Sequence, residues 1–214
     1  VEIGGGHNPL SKNQAYLKMK SPKTYFTIDP NGKHSKHKNH KLIKNFFDES
    51  IIKKIGDNKD LIFHSHLFEH LYDPNIFLRS IYNLLKNRAF HVFSIPNIKE
   101  MIKKGYANGM NFEHPYYLEE NLVDILLKNN GFKIIKKFFF INHSIIYVTQ
   151  KVNTKKKFIY SKYTVNKKLF NNFITNKRND IKRINKKIAK LNNQKVFLFG
   201  AHIFSQLLIF NGLN

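Results

Sequence analysis

Three histidines and a glutamate stand out as residues able to move a proton or hold a cation. In HSHLFEHLYDP, His66 and His70 are four residues apart with Glu69 beside His70, and His114 follows in FEHP. On a helical turn, positions four apart share a face, so His66 and His70 are expected on one side with His114 converging from elsewhere. Imidazoles titrate near neutral pH, which makes His66, His70 and His114 the candidate general bases. Glu69, His70 and His114 are also a candidate ligand set for a divalent metal, manganese or magnesium. The alternative is that these side chains only orient the loop.

A second group lies in VEIGGGHNPL. Gly4, Gly5 and Gly6 follow a short apolar run and are expected to end a first strand and lead into a helix, where backbone approaches a ligand and aims N–H groups at its anionic part. The next run, TYFTID, ends on Asp29, whose carboxylate suits the two hydroxyls of a ribose. Together these residues suit an adenosine cofactor. NAD is disfavoured, because Pro9 falls where the third glycine of a dinucleotide fingerprint belongs. Glu2 sits badly beside a pyrophosphate but well beside the ammonium of an amino acid. Plainer readings are a tight turn for the glycines and turn chemistry for Asp29-Pro30-Asn31-Gly32. Asp73-Pro74 reads as a helix start without chemistry.

The elements that must position these residues follow an α/β pattern with a mostly parallel sheet. Expected strands are VEI, then 24–29, 60–65, 89–95, 132–141 and 143–150; expected helices cover 75–87 and 119–130. The break at Asn142 is too short for a helical crossover, so the last two strands should pair antiparallel at the sheet's end. Residues 1–150 thus form one domain. A basic connector follows over 151–193, with helical periodicity through Leu169, Phe173, Ile181, Ile184, Ile188 and Leu191. The stretch 194–214, containing KVFLFGAHIFSQLLIFNGL, reads as a buried strand, a Gly-Ala turn and an apolar helix, the start of a second α/β unit.

The net charge is +23, with 37 basic residues, only four of them arginine. Residues 151–195 carry 15 basic residues against the single acid Asp180, so 14 of the 23 excess charges fall in that stretch. A nucleic-acid site would favour the bidentate arginine fork; a lysine-rich solvated surface fits better, and nucleic acid is a disfavoured partner. With no cysteine there is neither a disulfide framework nor a thiolate metal site. No apolar run approaches the roughly 20 residues of a membrane span, and a cytoplasmic location is expected. The oligomeric state stays open.

The acidic-x-Gly-x-Gly pattern of Glu2, Gly4 and Gly6 resembles the first motif of the class I S-adenosylmethionine-dependent methyltransferases. Residues 60–97, with His66, Glu69, His70, Asp73 and Pro74, are similar to that family's segment from strand four to strand five, and NFEHPYYLEENLVDILLKNNGFKII to its helix and Gly-Phe turn before strand six. The resemblance spans residues 1 to about 150 and implies a Rossmann-like fold. It implies that S-adenosylmethionine lies on Gly4–Gly6 with Glu2 nearby, its ribose on Asp29, its adenine near Asn45, and its sulfonium bordered by His64, Ser65 and His66. Asn45 stands where the family often has an acid, and Asn87-Arg88 replace its Gly-Gly turn before strand five. The histidine cluster resembles that of the small-RNA 2′-O-methyltransferases, with His66 in place of the first glutamate. The tail resembles sugar C-methyltransferases and related surface-glycan enzymes, which implies a small sugar- or phosphate-bearing acceptor such as a surface-polysaccharide precursor. An RNA methyltransferase using the basic segment and a non-catalytic nucleotide-fold binding domain are the alternatives.

Overall fold

A computed structural model describes residues 1–6, 24–33, 39–107, 109–110, 113–153, 157–191, 194–200 and 203–213. Among these, the apolar runs form strands β1 (Glu2–Ile3), β2 (Tyr25–Ile28), β3 (His40–Ile43), β4 (Lys59–Ser65), β5 (Leu85–Pro96), β6 (Phe132–Phe140) and β7 (Ser144–Lys151). The helices are α1 (Glu49–Ile55), α2 (Pro74–Leu84), α3 (Ile98–Lys103), α4 (Glu120–Asn129), α5 (Tyr163–Ile188) and α6 (Ile203–Phe210), with a 3₁₀ turn at Phe68–His70. One sheet runs in the order β3-β2-β1-β4-β5-β7-β6. β1 to β5 pair parallel where they are neighbours, and only β7 is reversed, running antiparallel to both β5 and β6. The short turn at 141–143 produces that reversal, with Ile141 at φ 51°, and leaves β6 as an outer edge.

Burial on the sheet explains the apolar runs. Ile3, Ile28, Ile62, Phe93, Ile95 and Tyr147 are almost fully buried in one core with Leu78, Ile81 and Leu84 of α2 and Val123 and Leu127 of α4. Asp73 caps α2, its Oδ1 accepting from the N–H groups of Asn75 at 2.9 Å and Ile76 at 3.0 Å, while Pro74 occupies the first turn where no amide donor is needed. Gly131 turns the chain into β6 at φ +83°, and a Cβ there would come within 2.6 Å of the Tyr82 ring. In place of a Gly-Gly turn, Arg88 takes a positive φ of 62° inside the start of β5.

The structure both adds to the sequence reading and corrects it. β3, α1 and α3 are not among the expected elements: HKLI is a four-residue edge strand with a lysine inside it, and α1 and α3 have only seven and six residues. The connector does form one long helix, α5, whose Phe173 and Ile181 are buried. The buried strand expected over 194–200 is not formed. Those residues pair with no strand among the described residues, and Phe197 and Phe199 are exposed; a lone strand has no ladder to join and no second face to bury. The helix expected after Gly6 falls in 7–23, outside the described residues. No described helix is long and apolar enough to cross a membrane.

Candidate active site

The strand order reverses between β1 and β4, and in open parallel sheets the crevice beyond the carboxyl ends of such strands is where ligands bind. Gly4, Gly5 and Gly6 lie at that end of β1. Gly4 (φ +73°) and Gly6 (φ +54°) adopt backbone that L side chains rarely take, and a Cβ on Gly5 would meet Thr27 Cγ2 at 2.8 Å and Glu2 Cδ at 2.9 Å. The loop therefore needs glycine for its curvature and for its fit against the sheet. Asp29, at the end of β2, closes it from the side: one carboxylate oxygen accepts from the Gly6 N–H at 2.8 Å and the other from the Asn31 N–H at 2.7 Å. Two of its roughly four lone-pair sites stay available to a ligand hydroxyl.

Glu2 is buried beneath the loop, not open to the crevice. Its Oε2 accepts from Tyr25 Oη at 2.7 Å and Thr27 Oγ1 at 3.2 Å, and its carboxyl supports Gly5 from below. Asn45 is exposed in the turn after β3, its Oδ1 taken by the Phe46 N–H at 2.8 Å. Ser65 is exposed at the end of β4, its hydroxyl 2.7 Å from that of Ser94 on β5.

His64 departs from its expected place beside a sulfonium. It is 3% exposed, packed among Phe68, Phe77 and Phe93, and its Nε2 lies 3.0 Å from Nε2 of His91. Alternation along β4 turns His64 inward and Ser65 outward. Burial pushes the His64 imidazole down to about 3, and burial and the neighbouring His64 hold His91 well below its ordinary value. The pair is neutral, one ring nitrogen donating to the other. The Nδ1 atoms of both rings lack a hydrogen-bond partner.

His66 and His70 do not share a helical face. The chain leaves β4 through a left-handed residue, His66 at φ 48°, whose N–H still donates to Ser94 O at 3.0 Å, and helical turning begins only at Phe68. His66 points back over the sheet: its Nδ1 lies 3.2 Å from Glu69 Oε1 and its Nε2 3.0 Å from Ser144 Oγ at the start of β7. Both its ring nitrogens are thus engaged, which fits a positioning role toward Glu69.

Glu69, His70 and His114 do converge, each offering a ligand atom within 4.8 Å of the others. The His70 and His114 rings meet edge to face, centroids 4.7 Å apart. His70 Nδ1–H donates to the Glu113 carbonyl at 3.0 Å, and His114 Nδ1–H to the Gly109 carbonyl at 3.1 Å. A carbonyl can only accept, so it fixes the tautomer and leaves each Nε2 a free lone pair. Glu69 is 3% exposed, and its second oxygen, Oε2, has no partner. A buried carboxylate with an unsatisfied oxygen, grouped with two imidazoles, suits taking a proton or a cation.

The sequence reading missed an apolar cleft beside this cluster. It is lined by residues of α3 and α5 and the segment leading into α4, and no local pattern announces such a juxtaposition.

A family model described as a methyltransferase domain matches residues 1–137. No curated protein matches the chain. Solved structures share its fold at low identity. An S-adenosylmethionine-dependent methyltransferase from Mesorhizobium loti is 12% identical, with TM-score 0.51 over 70% of this chain and 89% of that one. The magnesium protoporphyrin IX methyltransferase of Synechocystis PCC 6803, with bound S-adenosylhomocysteine, is 13% identical, with TM-score 0.51 over 70% and 72%. A chain from the Haloferax volcanii complex of the Trm112 methyltransferase activator with a methyltransferase is 11% identical, with TM-score 0.53 over 71% and 81%.

Proposed function

Because the chain belongs to the methyltransferase-domain family and is a class I S-adenosylmethionine-dependent methyltransferase, we propose that it methylates an oxygen or nitrogen of a small acceptor deprotonated by the Glu69–His70–His114 cluster. The observation that carries this reading is the convergence of Glu69, His70 and His114, each with a ligand atom within 4.8 Å of the others, with both histidine Nδ1 atoms held by carbonyls and Glu69 Oε2 without a hydrogen-bond partner. In the proposed complex the Gly4–Gly6 loop and Asp29 hold the cofactor's ribose and methionine. The acceptor atom attacks the methyl carbon in line, its new bond forming as the carbon–sulfur bond breaks and that electron pair neutralises the sulfonium. The acceptor's proton passes to Nε2 of His70 or His114. With the reactive group supplied by the cofactor, the protein's work is positioning and proton removal.

For the acceptor we favour a small sugar- or phosphate-bearing metabolite, and Lys99 and Lys167 on the neighbouring cleft support the phosphate-bearing case. The same cluster fits a divalent ion: Glu69, His70 and His114 would hold manganese or magnesium, which would acidify a bound hydroxyl.

Calorimetry with S-adenosylhomocysteine and NADH tests the cofactor. S-adenosylhomocysteine should bind and NADH should not, and Asp29→Ala should weaken the former about tenfold or more; unchanged affinity would refute the site. For the cluster, His70→Ala should lower turnover about a hundredfold. Chelation without effect favours the general base; loss restored by manganese or magnesium favours the ion. Normal turnover in both His70→Ala and His114→Ala would return these residues to structural roles.

A further inference from the structure

The cleft between α3, α5 and the segment before α4 has a volume of about 320 Å³, at the lower end of the range of small-molecule sites, roughly 300–1,000 Å³. Its walls are apolar: Ile98 and Ile102 from α3, Leu122 from α4, Phe170 from α5. The ring of Tyr117 lies nearly parallel to that of Phe170, at 25° and 6.0 Å between centroids. Charge is confined to particular places. Glu119, buried, accepts from Tyr160 Oη at 3.3 Å and lies 3.8 Å from Lys99 Nζ; the exposed Lys167 contributes a second ammonium from α5.

The cleft also adjoins the proton-handling cluster. Ile98 and Tyr117 line it on one side, and on the other they line a small gap with Glu69 and His114. A molecule seated in the cleft is therefore one side chain away from the reacting atoms. A bare sugar would turn hydroxyls toward Ile98, Ile102, Leu122 and Phe170, which offer them no hydrogen bond in exchange for the water they lose. A planar apolar ring bears no such cost and gains stacking on Tyr117 and Phe170. Glu119 neutralises only part of the lysine charge, so an anion is favoured at the mouth.

We propose that this cleft seats part of the acceptor, an aromatic ring system carrying an anionic group, with the ring against Tyr117 and Phe170 and the anion between Lys99 and Lys167. This rests on the methyl-transfer reading of the adjoining crevice and narrows its acceptor to an amphipathic molecule.

The test uses 1-anilinonaphthalene-8-sulfonate, a fluorescent ring system with one anionic group, titrated into the full chain. Saturable binding to one site is expected. Leu122→Trp, which fills the cleft, should weaken it about tenfold, and the surface variant Lys99→Gln/Lys167→Gln a few-fold. Phe139→Ser/Phe140→Ser, which removes exposed rings of β6, should leave it unchanged. S-adenosylhomocysteine affinity should stay within about twofold throughout. Dye binding unaffected by the lysine pair and by Leu122→Trp, or lost in the β6 variant, would overturn the proposal. If Leu122→Trp does not fold, the lysine pair and the β6 variant decide alone. A chain that binds dye in the cleft but never S-adenosylhomocysteine would overturn the acceptor assignment at its premise.

Discussion

The buried His64–His91 pair should make the fold acid-labile at a pH where its carboxylates are still ionised. Unfolded, each imidazole titrates near 6.5; folded, burial holds His64 at about 3 and His91 well below its ordinary value. Between those limits the unfolded chain binds more protons than the folded one, so stability is full above about pH 6.5 and falls as pH drops toward 3. For His64 alone the loss between pH 7.5 and 5 is about 2 kcal/mol, a sizeable fraction of a typical domain's 5–15 kcal/mol, and His91 acts in the same direction. Urea unfolding at pH 7.5, 6 and 5, followed by circular dichroism, reads this as a falling midpoint at constant slope. Replacing both rings at once, His64→Leu/His91→Leu, removes the titration without stranding a lone polar partner and should flatten the dependence over this range. A double variant as acid-sensitive as the parent would refute the assignment.

Two further outcomes follow from the loop and from the helix surface. Gly5→Ala should destabilise the fold by about 1–3 kcal/mol in urea melts and weaken S-adenosylhomocysteine binding by calorimetry, since its Cβ would press on Thr27 and the Glu2 carboxyl; wild-type behaviour in both would refute the close approach. Lys168→Gln/Lys182→Gln/Lys186→Gln, on the exposed face of α5, should leave turnover of the acceptor unchanged, whereas a steep loss together with salt-sensitive RNA binding would favour RNA as the substrate.

What could be read from the sequence divides along physical lines. Long apolar runs such as 89–95 and 143–150 announced central strands because one face of those strands is buried and most of the other is half-covered. β3 did not, since an edge strand of four residues with Lys41 exposed has little pattern to show. Glu69, His70 and His114 were legible as a group, and the structure brings them together. The expected partnership of His66 with His70 assumed a helix where the chain makes a left-handed corner. His64 was misplaced because neighbours on a strand face opposite ways, and only the sheet says which way is in. VFLFG over 196–200 has the composition of a strand, but composition cannot supply a neighbour to pair with. The cleft was out of reach altogether, assembled as it is from residues 98–102, 117–122 and 160–170.

The reversal of β7 has an effect on how copies of this chain treat one another. By slotting between β5 and β6, it sends β6 to the rim, where Phe138, Phe139, Phe140 and Ile141 face water. A rim of that kind invites edge-to-edge stacking. The exposed Lys133 and Lys136 precede that apolar stretch on the same strand, and the register shift between Ile134 and Lys136 bends it out of line. Since the whole chain carries +23, two approaching rims repel before they touch. That protection is electrostatic and reaches only about 10 Å at 0.1 M salt and about 3 Å at 1 M, so raising the ionic strength should favour edge-to-edge association, which light scattering across that range would read.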